Sequence, residues 1–469
     1  MHTPERKNLG QKPKHRLRLS SRIRWLADRE WLLVTLAAPF LLFPTVRPIL
    51  TLAALALLTM WWVLRWLGLG EPWPTTPLNG TMLVLAATIA VGIWVSAFPE
   101  VTLPKATGLV LGLAAFRSIV FLVKDYRQLS LALLGYGVLG TALVLVGTLS
   151  VHAVNKVPVL TKVADQIPTL ISSLPELGSS GVSTNQLAGT ILLFQPLALS
   201  LAWAALQRPR RRLSDWLPLA TMLALGVAAS GALLLTQSRS GWVGSLVGVL
   251  ALGILWLLTS RRRALRRFGV IIPLLIGLAA VGVVFAMGPE NLPAVLYGKE
   301  ISSSVESVVG NVSLAGRVEI WSRALYAIQD FAFTGCGLGT FRKVVPVLYP
   351  LFLIPPNYDI AHAHNIFLQT GVDLGIPGLI GYLGLLMTAA YVCWQTAAQQ
   401  RDLRLRATAI GLLSGLVALH TYGLTDALAP GSKPGLVFWY ALGLLTAMHR
   451  LAGKGQEESL AKPGPEEVT

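Results

Sequence analysis

The sequence predicts an all-α, polytopic integral membrane protein with about twelve transmembrane helices and one large external loop that holds short helices of its own. Three observations predict it. Of 469 residues, 54% are hydrophobic and 13% are charged, and the mean hydropathy is +0.61; an average soluble chain carries about 25% charged residues. Apolar runs recur at about 18 to 25 residues, the length that takes a helix across a hydrocarbon core, whereas a transmembrane barrel alternates over short segments. The basic residues sit in short clusters between those runs, as in Arg208-Pro209-Arg210-Arg211-Arg212 and Arg261-Arg262-Arg263 with Arg266-Arg267. That is the signature of cytoplasmic loops, so the net charge of +17 marks membrane orientation and excludes a nucleic-acid partner.

Residues 1–30 read as a basic cytoplasmic N-terminal segment. The apolar run from Trp31 lacks a small-x-small cleavage site, so it reads as the first membrane segment and not as a cleaved leader. The expected spans are 31–45, 48–66, 81–98, 104–123, 129–151, 185–206, 215–236, 240–259 and 268–288, then 366–394, 407–428 and 435–450. Pro44 and Pro48 interrupt the first two, which also fit a re-entrant hairpin. With the N-terminus inside, the cytoplasmic loops are 124–128, 207–214, 260–267 and 395–406, and these hold the basic clusters; the alternate short loops at 99–103 and 429–434 hold only Lys433. Cys336 and Cys393 then lie on opposite sides of the bilayer, too far apart to pair.

Two external loops are long. The first, 152–184, has the apolar spacing of a short surface helix. The second, 289–365, contains an amphipathic helix over Leu314–Phe331, with Val318, Trp321, Leu325 and Ile328 on one face. A Gly-rich turn follows at Thr334–Thr340, then a Pro-rich stretch through Pro355-Pro356. Within residues 366–450, Gly375-Ile376-Pro377-Gly378 breaks its span, which membrane helices tolerate where they line protein or a cavity. The polar residues 451–469 read as a disordered cytoplasmic tail.

The chemistry gathers at the external level. His364 is the candidate base, because an imidazole accepts a proton near neutral pH. His362 lies two residues away, and either ring fits the role. With Asp359 the two histidines also suggest a metal site, but the spacing is no metal motif, and no metal or cofactor is expected. A structural pair capping the helix is the other reading. Asn365 suits a helix cap or a sugar hydroxyl. Arg239, in Gln237-Ser238-Arg239-Ser240-Gly241-Trp242, sits where the positive-inside rule disfavours it. Its planar fork suits phosphate oxygens, and snorkelling or a carboxylate partner is the bland alternative. Arg317, Arg323, Arg342 and Lys343 make the large loop cationic, and Asn185 and Asp426 add polar groups at the same level. No Walker motif, nucleophile elbow or dinucleotide fingerprint occurs.

His364-Asn365, nine residues, then Gly375-Ile376-Pro377-Gly378 resembles the signature of the O-antigen ligase and O-antigen polymerase superfamily. Gly316-Arg317-Val318-Glu319-Ile320-Trp321, the Thr334–Phe341 turn, Ser238-Arg239-Ser240-Gly241-Trp242 and Ser183-Thr184-Asn185-Gln186-Leu187-Ala188 resemble its other segments. The resemblance spans about residues 130 to 430 and implies a metal-independent glycosyltransferase of the bacterial inner membrane, working on the periplasmic side. It implies transfer of a saccharide from an undecaprenyl-diphosphate carrier to a hydroxyl of a lipid core, a glycan or a protein. It assigns His364 as base and Arg239 and Arg317 as diphosphate ligands, with loop 289–365 as the catalytic loop. Asn365, Asn185, His362 and Arg342 are the further substrate-binding candidates. Inversion at the anomeric carbon is the expected course, with membrane lipids as surroundings. A polymerase of the same superfamily, as in surface polysaccharide or lipopolysaccharide biosynthesis, satisfies the same motifs. A transporter or flippase would place charge deep within spans and show paired halves, and no internal repeat is evident.

Overall fold

A backbone amide in hydrocarbon has no water to bond, so each span must satisfy its own hydrogen bonds. In the computed structural model, which describes residues 29–150, 158–166, 183–208, 216–287, 314–355 and 359–460, all regular structure is accordingly helical. The helices are α1 (Glu30–Leu42), α2 (Pro48–Leu69), α3 (Asn79–Trp94), α4 (Pro99–Leu122), α5 (Tyr126–Ser150), α6 (Pro158–Ala164), α7 (Thr184–Leu206) and α8 (Leu217–Leu235). They continue as α9 (Arg239–Leu258), α10 (Arg263–Met287), α11 (Leu314–Asp330), α12 (Phe341–Leu348), α13 (Ile366–Gln399), α14 (Leu403–Tyr422) and α15 (Gly435–Leu460).

Each of the twelve expected spans falls on a helix, but among the described residues nine helices are long and apolar enough to cross a membrane. The shortfall has a physical reason. Helices α1 and α3 have 13 and 16 residues, about 20 and 24 Å at 1.5 Å per residue, less than the hydrocarbon thickness. Helix α10 is another matter, since past Arg263, Arg266 and Arg267 its sequence is uncharged and apolar from Phe268 to Met287. The protein is nonetheless a multi-pass membrane protein, and its surface agrees. Ile49, Leu134, Val227 and Leu246 are exposed on α2, α5, α8 and α9, as side chains facing lipid tails would be.

The buried spans are α4, α7, α14 and α15. Helices α7 and α14 approach closely because Gly411 and Gly415 face Leu197 and the Leu193 carbonyl with no room for a Cβ. Ser200 Oγ donates to the Ala407 carbonyl at 2.7 Å, supplying the polar contact that steadies helices in an apolar solvent. At the basic end of the bundle, the Arg406 guanidinium donates to Thr259 Oγ1 and the Trp256 carbonyl.

A second core sits in the large loop, where Ile320, Ala324 and Ala327 of α11 meet Phe341 and Val345 of α12 and Ile360, Ala363 and Val372. This corrects the expected apolar face of α11. Val318 and Leu325 are 52% and 50% exposed, and the small-residue face of Ala324 and Ala327 turns inward. Ile328 reaches α13 across Gly371, whose Cβ position lies 2.7 Å from the Ile328 Cδ1, so close approach selected alanines and not the bulkiest stripe.

The predicted break in α13 is present: Gly375 has φ +70° and ψ −176° inside the helix. The freed backbone is used, since the Ile376 amide donates to Ala332 O and the Cys336 amide to Val372 O, both at 2.7 Å. The kink therefore mounts the Gly-rich turn. Gly335 (φ +68°) would place a Cβ 2.5 Å from the Asp373 carbonyl carbon. Both cysteines are free and buried. Helix α15 extends to Leu460, past the expected boundary at residue 450. In loop 152–184 the described helix is α6; the rest of its expected surface helix lies outside the described residues. Outside them too are the N-terminal basic segment through residue 28, Arg210–Arg212, residues 288–313 of the large loop and the tail from 461.

Gly335→Ala combines a positive-φ penalty with a backbone clash, so it should lower unfolding stability by about 1–3 kcal/mol in detergent melts. Gly253→Ala on α9, where a Cβ meets nothing within 4 Å, should change stability by less than about 1 kcal/mol or raise it slightly.

Candidate active site

The site is built where three helix ends meet. Asn365 is the N-cap of α13: its Oδ1 accepts from the Phe367 and Leu368 amides at 2.9 and 3.0 Å, satisfying donors that the first turn leaves open. Its Nδ2 donates to Leu424 O at 3.0 Å, and the Ile366 amide donates to Gly423 O at 2.7 Å. The start of α13 is thus fastened to the segment that leaves α14. Asn365 is thus a helix cap through Oδ1 and a tie to the Leu424 carbonyl through Nδ2.

That fastening brings Asp426 to the histidines. Asp426 Oδ1 lies 3.7 Å from His362 Nε2 and 3.8 Å from His364 Nδ1. The two rings stand 4.4 Å apart at 56°. Asp426 is 2% exposed, and its Oδ2 and His364 Nδ1 are buried without a hydrogen bond among the described residues. His364 adopts φ +47°, a left-handed backbone that a non-glycine residue holds only under constraint. The constraint is visible: the His364 amide donates to His362 Nδ1 at 3.2 Å, and Trp321 Nε1 donates to the His364 carbonyl at 3.4 Å.

Those bonds set the tautomers. His362 accepts at Nδ1, so its neutral ring carries the proton on Nε2, toward Asp426. His364 turns Nδ1 toward the same carboxylate, which leaves its Nε2 to meet a ligand. Burial is the main influence on both rings and holds them below the ordinary imidazole range, His364 at about 3. Asp426 opposes that shift on both, while Arg317 reinforces it.

His362, His364 and Asp426 also have metal-like proximity, their ligand atoms lying within 4.8 Å of one another. The electrostatics fit a metal poorly. A cation on His362 Nε2 would displace the proton that the Nδ1 hydrogen bond fixes there. Arg317, Lys105 and Arg342 already load the His362 ring with positive charge. Asp359, paired with the histidines in the sequence reading, instead takes both branches of the Arg342 guanidinium.

The other expected residues converge by different routes. Arg317 on α11 acts electrostatically on both imidazoles, and its Nε is buried with no hydrogen bond among the described residues. Arg239 is the first residue of α9, capped by Ser238, whose Oγ accepts from the Gly241 amide. Its neighbour Ser240 accepts from Thr425 Oγ1 at 2.7 Å, which sets the Arg239 turn beside the Asp426 segment. Asn185 heads α7, and its carbonyl accepts from the Tyr422 hydroxyl at 2.9 Å. The bundle end opposite the Arg406 contacts therefore carries Asn185, Arg239, His362, His364 and Asp426 together.

Sequence reasoning missed Lys105, Gln369 and Asp373. Gln369 Oε1 accepts the Ala363 amide at 2.8 Å, between the two histidines, and its Nε2 donates to Asp373 Oδ1 at 2.9 Å. The same oxygen accepts from the Gly339 amide at 3.1 Å, so one buried carboxylate joins the Gly-rich turn to the histidine loop. The available signal was polar and ionisable residues within apolar runs.

In a histidine-selective NMR titration His364 should protonate well below pH 6.5. Asp426→Asn removes a charge that favours the imidazolium and should lower the midpoint further, while Arg317→Gln should raise it.

Residues 223–383 match the family model described as O-antigen ligase. The matched stretch contains Arg239, Arg317, Arg342, His362, His364 and Asn365. No curated protein matches the chain. Among solved structures, one from work titled "Structural coordination of polymerization and crosslinking by a peptidoglycan synthase complex" aligns over 79% of this chain and 97% of that chain, at 23% identity and a TM-score of 0.40.

Proposed function

From the premise that residues 223–383 carry an O-antigen ligase domain, we propose that the protein moves a saccharide from a polyprenyl-diphosphate carrier to an acceptor hydroxyl at the external face of the inner membrane. The coarser statement, a membrane glycosyltransferase-type enzyme, rests on the family match itself. One observation carries the finer reading: a buried carboxylate faces two imidazoles while an arginine without a hydrogen bond at its buried Nε lies beside them.

In this reading His364 Nε2 takes the proton from the acceptor hydroxyl as its oxygen bonds to the anomeric carbon. The bond from that carbon to the diphosphate oxygen breaks, and the diphosphate leaves with the electron pair. Asp426 positions His364 and stabilises the imidazolium as it forms, the service a buried aspartate gives a catalytic histidine elsewhere. His362 has both ring nitrogens committed, Nδ1 to the His364 amide and Nε2 toward Asp426, which favours His364 over His362 as base. Arg317 and Arg239 receive the charge that grows on the leaving group, and a guanidinium held ready in a partly dry site needs little reorganisation. Displacement in one step inverts the anomeric centre.

The anionic donor also tunes the base. A diphosphate beside His364 favours its protonated form, so the imidazole becomes more basic when substrate binds. The acid limb of kcat should therefore lie at higher pH than the acid limb of kcat/KM, because the former reports the complex and the latter the free enzyme. Coincident limbs would contradict this tuning.

The decisive experiment uses the purified protein with an undecaprenyl-diphosphate-linked oligosaccharide. His364→Ala should lower transfer by about 10²–10⁴-fold with donor affinity retained, and transfer at the wild-type rate would remove the base assignment. In a deletion strain, polymer left on its carrier with bare lipid core indicates ligation, and core bearing single repeat units indicates polymerisation.

A further inference from the structure

Helix α13 is too long to run straight beside its neighbour. It has 34 residues, about 51 Å if unbent, while α14 has 20, about 30 Å. Residues 400–402 join the two helices at one end. At the other, the Ile366 amide donates to Gly423 O at 2.7 Å. A straight α13 would carry Ile366 about 20 Å past that partner. The break at Gly375 resolves the mismatch. Residues 376–399, about 36 Å long, match α14 to within about one or two turns. Residues 366–374 therefore lie across the end of the bundle and not along its axis.

Helix α11 runs beside that crosswise segment. Trp321 Nε1 reaches His364 O at 3.4 Å. Ile328 Cδ1 lies 2.7 Å from where a Gly371 Cβ would stand, and Ala332 O accepts from the Ile376 amide at 2.7 Å. The partners advance together along both chains, so the two segments are parallel. Helix α11 thus crosses from the exit of α14 to the point where the spanning part of α13 begins. Both α13 and α14 are apolar enough to span a membrane, so a helix held at those two points lies flat at the hydrocarbon boundary.

Its surface agrees with that position. One face of α11 packs into the loop core through Ile320, Ala324 and Ala327. The opposite face shows Val318, Leu325 and Tyr326, each about half exposed, with Gln329 as a polar member. Such a mixture suits the headgroup level more than the acyl interior. Just past the helix, Phe333 is 84% exposed. It adjoins Ile376, the head of an exposed apolar row, with Ile380, Leu383 and Met387, on one face of α13. The Leu338 amide donates to Gly92 O at 3.0 Å, which sets the end of α3 at the same level, and there Trp94 is 89% exposed. Aromatic rings concentrate at membrane–water boundaries.

We propose that α11 is an interfacial helix whose Val318, Leu325 and Tyr326, with Phe333 beyond its end, rest in the lipid surface and anchor the large loop to the bilayer. The occupant of this apolar face is lipid because the face continues the exposed row of α13 at the level where the spans end. The inference does not rest on the transferase reading. Trp321 links the helix to the His364 carbonyl, so the anchor sets the height of the imidazoles above the lipid. A lipid-borne substrate would then meet them by moving in the membrane plane.

The test places a bimane label on Leu325→Cys and on Phe333→Cys in the full-length protein, with Ile380→Cys as the lipid-facing reference. Cys336 and Cys393 are buried, so the unsubstituted chain should take up little label. The variants are reconstituted into phosphatidylglycerol vesicles and exposed to acyl-brominated phosphatidylglycerol or to aqueous iodide. Brominated lipid should quench both labels to an extent comparable to Ile380→Cys, and iodide should quench them weakly. Labels open to iodide and untouched by brominated lipid overturn the proposal, because α11 then stands in water. Labels shielded from both quenchers also overturn it, because protein then covers the face. Lipid quenching at Phe333→Cys with Leu325→Cys open to iodide overturns it too, since only the end of the helix then meets the bilayer. If Leu325→Cys fails to fold, Tyr326→Cys on the same face gives the same readout.

Discussion

The joint between the start of α13 and the exit of α14 is what the rest of the site depends on. Two backbone carbonyls, Gly423 and Leu424, accept from Ile366 and Asn365. Helix starts expose amides and helix exits expose carbonyls, so an antiparallel pair of spans can satisfy both ends against each other. In a membrane protein that economy matters more, because an unmet backbone group near hydrocarbon has no water to turn to. The consequence is chemical. A carboxylate on one span's exit comes to rest against two imidazoles at the other span's entrance.

The same joint explains the backbone strain. His364 holds φ +47° because the chain must turn its carbonyl to Trp321 and its amide to His362 before α13 can begin. Behind the turn, Gln369 and Asp373 repeat every four residues along one face of α13 and hold the loop from beneath. The Gly375 kink lets the next residues take the Gly-rich turn as a partner. The core of the large loop, the kink and the histidine loop thus form one mount that holds the two imidazoles in place.

Charge then sorts the space around that mount. Arg317 of α11 acts on both imidazoles, and Lys105 of α4 and Arg342 of α12 act on His362. Buried imidazoles resist protonation for two additive reasons, loss of water and nearby cations. Under the proposed function, an incoming anion offsets the second of these, which couples substrate binding to base strength without any movement of the fold.

Much of this was legible in the linear chain. Span positions follow from hydropathy, because every membrane helix must be apolar along its length whatever it packs against. That Arg239, Asn185 and His364 share one end of the bundle follows from their places at the ends of apolar runs, where polar groups are costly. The α13 break follows from Gly375 and Pro377. What the linear chain could not supply was contact between distant segments. The inward face of α11 turned on Ala324 and Ala327 packing in the loop core beside Ile328's close approach to Gly371 of α13, and the lengths of α1 and α3 on where each helix ends. Asp359 sits five residues from His364 but binds Arg342, whereas Asp426, sixty-two residues away, faces both rings. Residue type and hydropathy are local properties and can be read in order; which carboxylate meets which imidazole is set by helix ends packing in three dimensions, and the tertiary structure alone decides that.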